Sequence, residues 1–259
     1  MEIIIKPTVA EVQQEAARLI HRQVREKPAC VLGLATGSTP IGVYSLLVSM
    51  HRAGGLDFSR VTTFNLDEYV GLPSGHPCSY REFMRQHLFG QVKISPGNVH
   101  FPDGLAADVT AHCRAYEEAI LRAGGIDLQL LGIGRDGHIG FNEPSSSLAS
   151  RTRIKTLTPQ TIKDNAKCFG SPEQVPHHVI TMGVGTIMDA RQCVLLATGE
   201  AKASAVAGMA EGPITADLPA SVLQMHPVCK LIVDEAAATK LRRADYYRWV
   251  YDSKPPWQR

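Results

Sequence analysis

Short apolar runs alternate with amphipathic stretches along most of this chain. Thr8-Val9-Ala10-Glu11 has the form of a capping box, in which a hydroxyl and a carboxylate satisfy the free amides of a helix start. Val12, Ala16, Leu19, Ile20 and Val24 then recur at helical spacing, which predicts a helix running to about Lys27. The run from Ala29 to Leu34 predicts a buried strand. Pro40 sits where the first turn of a second helix would begin, the Gly54-Gly55 pair marks its end, and Val61 to Asn65 predicts another strand. Further strands are expected over Asp127 to Leu131, Val179 to Met182, Val194 to Ala197 and Leu231 to Asp234. Helices are expected over Ser79 to Phe89, Asp108 to Ala123, Ala201 to Met209 and Ala236 to Arg243. The alternation predicts the α/β class: a single Rossmann-like domain over residues 1–259, with a largely parallel sheet and helices on both faces.

Composition narrows the functions this fold would serve. With 259 residues and 44% hydrophobic content the chain can bury one large core, and a net charge of +2 gives no strong electrostatic lean. Its basic residues form no dense run, which argues against nucleic-acid or membrane-surface binding and for small-molecule chemistry. Met1 to Pro7 is too short and too soon interrupted for a signal peptide, and no apolar segment approaches the roughly 20 residues that span a bilayer. A soluble, cytoplasmic protein is expected. Cys30, Cys78, Cys113, Cys168, Cys193 and Cys229 are scattered without a C-x-x-C pair, so reduced thiols are expected rather than a disulfide framework or structural zinc. His76-Pro77-Cys78 is a fragment of a zinc deaminase signature, but Arg81 stands where the second cysteine is needed. No metal and no cofactor are expected.

Open α/β sheets bind ligands beyond the carboxyl ends of their strands, so the segments that follow strands carry the chemistry. Ala35 to Thr39 joins a strand to a helix start with Gly37, Ser38 and Thr39. Uncapped amides and the positive end of the helix dipole make such a turn a phosphate cradle, while an ordinary N-cap turn is the plain alternative. It lacks the Lys of a nucleotide-binding P-loop. Thr198 to Lys202 repeats the pattern and places an ammonium, Lys202, one turn into the next helix. Asp67 and Glu68 stand at a strand end, where a partly desolvated carboxylate becomes a base for a carbon-bound proton. Gly132-x-Gly134-x-x-Gly137 has dinucleotide-fingerprint spacing. Yet Asp136 would oppose a pyrophosphate, Gly140, Asn142 and Pro144 spoil the required helix, and no acidic residue follows about 20 positions on. His138 is therefore the candidate acid/base group, with Asp136 and Glu143 setting its tautomer and basicity.

These segments are recognisable together. Leu32 to Pro40, Phe64 to Tyr69, Gly134 to Pro144 and Ser150 to Leu157 resemble, in order, the motifs of the glucosamine-6-phosphate deaminase family, and the likeness extends to about Trp249. The resemblance implies conversion of glucosamine 6-phosphate and water to fructose 6-phosphate and ammonia without a cofactor. It implies that His138, with Asp136 and Glu143, opens the sugar ring, and that Asp67 carries the C2 proton to C1. It places the substrate phosphate on Gly37, Ser38, Thr39, Lys202 and Lys167, the last on a mobile lid near residues 158–178. There Lys167 replaces the arginine of bacterial relatives and loses its bidentate fork. In hexameric relatives activated by N-acetylglucosamine 6-phosphate the activator site aligns with Ser146, Arg153, Lys155 and Tyr246. A solvated edge strand is the plainer reading of Arg151, Arg153 and Lys155. Two other functions compete. A 6-phosphogluconolactonase shares the Asp-Gly-His turn, but Phe141 to Pro144 and Asp67 favour the deaminase. A sugar-phosphate sensor would need a DNA-binding helix pair, for which the N-terminal segment leaves no room.

Overall fold

Strands that are apolar on both faces must be covered on both sides, and the computed structural model, which describes residues 1–255 and 258, does this with helices. In chain order the elements begin with β1 (Glu2–Lys6), α1 (Val9–Glu26), β2 (Val31–Leu34), α2 (Ile41–Arg52), β3 (Thr62–Asn65) and β4 (Asp67–Tyr69). Next come α3 (Tyr80–Met84), prolonged by a π-helical turn over Arg85–Phe89, then β5 (Val99–His100), α4 (Val109–Arg122) and β6 (Leu128–Gly132). They continue with β7 (Arg153–Thr156), α5 (Pro159–Phe169), β8 (His178–Thr181), α6 (Val184–Met188) and β9 (Cys193–Ala197). The chain closes with α7 (Ala203–Glu211), β10 (Cys229–Asp234), α8 (Glu235–Ala238) and α9 (Ala244–Asp252). Residues 256, 257 and 259, counted in the expected 1–259 domain, lie outside the described residues.

Seven strands form one parallel sheet in the order β1-β10-β9-β6-β2-β3-β5. Period-two alternation splits β9 between two cores. Val194 and Leu196 join Leu32, Ile232, Val12 and Leu47 under α1 and α2, while Leu195 and Ala197 join Phe64, Val233, Tyr116 and Val206 under α4 and α7. The α/β class with helices on both faces is the architecture observed.

The last expected helix stops at Ala238 rather than Arg243, and three further departures from expectation concern the region around the cleft. The strand expected over Val179 to Met182 does not enter the parallel sheet; as β8 it pairs antiparallel with β4 and β7 in a separate three-stranded sheet. Hydropathy marks a strand but does not name its partner, and Leu66 N–H to Leu34 O is the last link before the chain turns out of the main sheet. The segment near residues 158–178, where no helix was expected, contains the helix α5, started by Thr158 and Pro159 and stopped at Gly170, whose φ is 87°. Ile162, Ala166 and Phe169 make a short stripe on it that packs against Tyr69, Phe141 and Val179. Finally, Cys78 and Cys168 are joined by a disulfide rather than reduced, because the fold brings together two thiols 90 residues apart; Cys30, Cys113, Cys193 and Cys229 are free and buried. Among the described residues no helix is long and apolar enough to cross a membrane.

Candidate active site

Parallel strands all release the chain on the same side, so the segments after β2, β3, β6 and β9 converge. They line a cleft of ≈ 250 Å³ with Gly37, Ser38, Thr39, Asp67, His138 and Lys202 along its walls. Six of the expected site residues thus meet in one place.

One wall of the cleft is made by the turn before α2, expected as the phosphate cradle. Gly37 takes a φ of 99°, which favours glycine, and the buried Tyr44 hydroxyl donates to Ala35 O at 2.5 Å, pinning the turn from below. No side chain caps α2, so its first amides stay available to a ligand. Facing them is Lys202, at the cap of α7 rather than one turn inside it, because Glu200–Lys202 forms a separate 3-10 turn. Burial lowers the Lys202 pKa, and the nearby charge of Arg135 lowers it further. Two cations held near one another favour an anion between them. Lys167 is exposed on α5 and is not part of the lining; Asp164 and Asn165 of that helix are.

The acidic pair separates into two different groups. Glu68 is turned into the body, where it accepts from the amides of Tyr69, Tyr80 and Arg81 at 2.9–3.0 Å and ties down the start of α3. Burial raises its pKa, opposed by those three amides. Asp67, 5% exposed, lines the cleft, and among the described residues nothing donates to its carboxylate. Burial pushes its pKa up to about 8, with a further push from Glu68 and an opposing pull from His138. A carboxylic acid that ionises near neutrality is a competent proton carrier.

Gly134 leaves room for the His138 ring, and Gly137 for the turn and for Leu218. A Cβ on Gly134 would lie 2.3 Å from the imidazole, and Gly137 takes a φ of 86°. The turn is closed by Gly134 N–H to His138 O at 2.9 Å and by His138 N–H to Asp136 Oδ1 at 3.2 Å. His138 Nδ1 lies 2.7 Å from Asp136 Oδ1 and 3.4 Å from Glu143 Oε2, leaving Nε2 as the ring nitrogen without a carboxylate partner. Burial opposes protonation of this imidazole, but Asp136 and Glu143 outweigh it and raise its pKa to about 9. Asp136 is also pushed up by partial burial, yet its contact with His138 holds it well below the usual carboxylate range. Asp136, His138 and Glu143 are, among the described residues, the one cluster with metal-ligand spacing, and their facing atoms engage one another directly. The dinucleotide reading fails as expected, since an Ile139–Asn142 bridge follows the glycines in place of a helix.

Glu143, 4% exposed, is gripped from the start of α5. Its Oε1 accepts from Thr161 Oγ1 at 2.5 Å and from Thr158 Oγ1 at 3.3 Å. Sequence reasoning missed Thr158 and Thr161, and it left Arg135 unassigned. The Thr158-Pro159 start of a helix was the available signal for the first two. Of the residues aligned with an activator site, Ser146 is buried with no partner for its Oγ among the described residues, and Arg153 donates to Asn142 Oδ1 at 2.9 Å. Lys155 is half-buried on β7, whereas Tyr246 is 57% exposed on α9, beside Tyr247.

A doubly covered parallel sheet with an acid, an imidazole relay and an anion cradle at its carboxyl edge defines an α/β enzyme of phosphorylated small molecules. The chain belongs to the family described as glucosamine-6-phosphate isomerases/6-phosphogluconolactonase, whose model matches residues 6–231. The glucosamine-6-phosphate deaminase of Arthrobacter sp. (strain FB24) is 61% identical over 258 residues, covering 100% of this chain and 99% of its own. That of Streptomyces coelicolor (strain ATCC BAA-471 / A3(2) / M145) is 55% identical over 259 residues, with the same coverage. A solved monomeric glucosamine-6-phosphate deaminase superposes with a TM-score of 0.91 at 44% identity, covering 93% of this chain and 100% of that one. The 6-phosphogluconolactonase from Trypanosoma brucei, at 20% identity and a TM-score of 0.72 over 93% of this chain and 98% of its own, shares the fold.

Proposed function

We propose that the chain converts glucosamine 6-phosphate and water to fructose 6-phosphate and ammonia. The observation that carries this reading is the meeting of Asp67, His138 and the Gly37 to Thr39 turn in one cleft, in a chain 61% identical over its length to a glucosamine-6-phosphate deaminase. Held by its phosphate between the α2 amides and Lys202, the sugar presents its ring end to the two proton carriers. His138 moves a proton from the anomeric hydroxyl to the ring oxygen and opens the pyranose, with Asp136 and Glu143 stabilising the charged imidazole. Asp67 removes the C2 proton, giving an enolamine, and delivers it to C1. The resulting C2 imine adds water and expels ammonia, so the atoms balance without a redox partner.

The site residues serve this reading as follows: Asp67, Asp136, His138 and Glu143 in catalysis; Gly37, Ser38, Thr39 and Lys202 on the phosphate; and Lys167 as a further phosphate contact only if α5 swings inward. The region near 158–178 is the lid of a single domain. The finer reading is a hexamer activated by N-acetylglucosamine 6-phosphate through Ser146, Arg153, Lys155 and Tyr246. It is supported by the unpartnered buried Ser146 hydroxyl; the exposed Tyr246 would have to be joined to the other three by assembly. A solved relative described as monomeric makes the unassembled enzyme the competing form.

Ammonia release from glucosamine 6-phosphate, measured with and without a chelator, tests the reaction and its independence of metal. Hydrolysis of 6-phosphogluconolactone without ammonia release would replace this reading with the lactonase. Kinetics repeated with N-acetylglucosamine 6-phosphate test the activator; hyperbolic curves identical in its presence and absence remove it.

A further inference from the structure

The carboxylate that supports His138 is positioned from α5, the helix over the cleft. Glu143 turns Oε2 toward His138 Nδ1, 3.4 Å away, and Oε1 toward the first turn of α5. Thr161 is the buried residue of that helix, and its Oγ1 donates to Oε1 at 2.5 Å. Thr158, the N-cap, completes the grip. Its Oγ1 accepts from Thr161 N–H at 3.2 Å and lies 3.0 Å from Thr161 Oγ1, so the hydroxyl that faces Glu143 is held in one orientation. The same helix brings Thr161 itself, Asp164 and Asn165 into the cleft wall. A displacement of α5 that widened the cleft would therefore also withdraw the hydroxyl from Glu143.

We propose that Thr161 is a positioning residue: by donating to Glu143 from the docked lid helix, it aligns that carboxylate with His138 and readies the ring-opening group only when the lid is seated. This rests on the ring-opening role proposed for His138. A carboxylate with one oxygen bonded is confined to a narrow range of rotation; with that bond absent, Oε2 leaves the line to the imidazole, and part of what holds the proton on Nδ1 is lost. Seating of α5 and proton transfer are thereby linked through one hydroxyl, which acts through Glu143 rather than on the reacting atoms.

The test is Thr161→Val, which keeps the buried volume and removes the donor, alongside Thr161→Ser, which restores it. For Thr161→Val the expected result is a fall in kcat of roughly tenfold with KM changed by less than about threefold. The limb of the kcat–pH profile that reports the imidazole should also move to lower pH, because His138 loses part of its acidic support. Thr161→Ser should return both kcat and the pH limb close to those of the unaltered chain. In a Glu143→Gln background Thr161→Val should add little, since the partner it orients has already been altered. An unmoved pH limb in Thr161→Val would overturn the proposal, as would a Thr161→Ser variant as impaired as the valine one, which would mean simple packing. Should the valine variant fail to fold, Thr161→Ala carries the same readouts. If the unaltered chain releases no ammonia, the proposed reaction fails; if it does and the pH limb stays put, only the role of Thr161 falls.

Discussion

The floor of the cleft comes from the ends of β2, β3, β6 and β9, strands whose side chains are nearly all buried, whereas its roof is α5, of which Thr161 is the buried residue. Floor residues are held by a continuous core and by backbone ladders. The roof is held by a short stripe of half-buried residues, two hydroxyls on Glu143, an Asn165 to Tyr69 hydrogen bond and the Cys78–Cys168 link. In the proposed reaction the groups that must keep a fixed geometry, Asp67 and the Gly37 to Thr39 turn, belong to the floor, and the part proposed to admit and release ligand is attached by contacts that can be broken one at a time.

The contrast makes its largest prediction at Asp67. Asp67→Asn should lower ammonia release by about 10²–10⁴-fold, while binding of sugar phosphate, measured by titration calorimetry, stays within a few-fold. Normal exchange of the C2 proton in that variant would show that the floor does not supply the base.

Stability against pH offers a second break point. Asp67 rises from 3.8 to about 8 and His138 from 6.5 to about 9 on folding, so in both cases the folded chain binds a proton more tightly than the unfolded one. Stability therefore falls as pH rises, through Asp67 between 3.8 and about 8 and through His138 between 6.5 and about 9. Asp67→Asn removes a buried charge and should stabilise the chain above pH 8 by about 1–3 kcal/mol, read by denaturant melts at pH 5 and pH 9. An equal gain at both pH values would count against the buried acid.

The two lysines sharpen the comparison by kinetics. Lys202→Ala, on the floor, should raise KM by about tenfold through loss of a charge-assisted phosphate contact. Lys167→Ala, on the exposed face of the roof, should change KM by less than about twofold. A reversal of that order would place the phosphate under the lid.

The smallest effect is expected from the disulfide. Reduction with dithiothreitol, or Cys168→Ser, should speed protease cleavage within residues 158–178 a few-fold while leaving the circular dichroism of the sheet unchanged. Equal cleavage in both states would mean that the half-buried stripe alone secures α5.

Much of this division was legible before the fold was known, but unevenly. The strands of the floor could be read because burial on both faces demands uninterrupted apolar runs such as Val194 to Ala197, and the turns after them advertise chemistry through Gly37, Gly134 and Gly137. The helix of the roof was missed because Ile162, Ala166 and Phe169 are widely spaced among polar residues and are only half-buried. Asp67 and Glu68 looked equivalent as neighbours on a strand end; what distinguishes them is that three amides donate to Glu68 and, among the described residues, none donates to Asp67.

The order of residues by itself determined the α/β architecture, the positions of the turns and which side chains are able to carry protons, because each depends on local periodicity or on the chemistry of one residue. Only the tertiary structure decided which of them meet: β8 with β4 rather than with the main sheet, Cys78 with Cys168, Lys202 across from the cradle, and Thr161 on Glu143. Such pairings join residues far apart in the chain, and the free energy that selects them comes from burial and hydrogen bonding summed over the whole fold, which no single stretch of sequence contains.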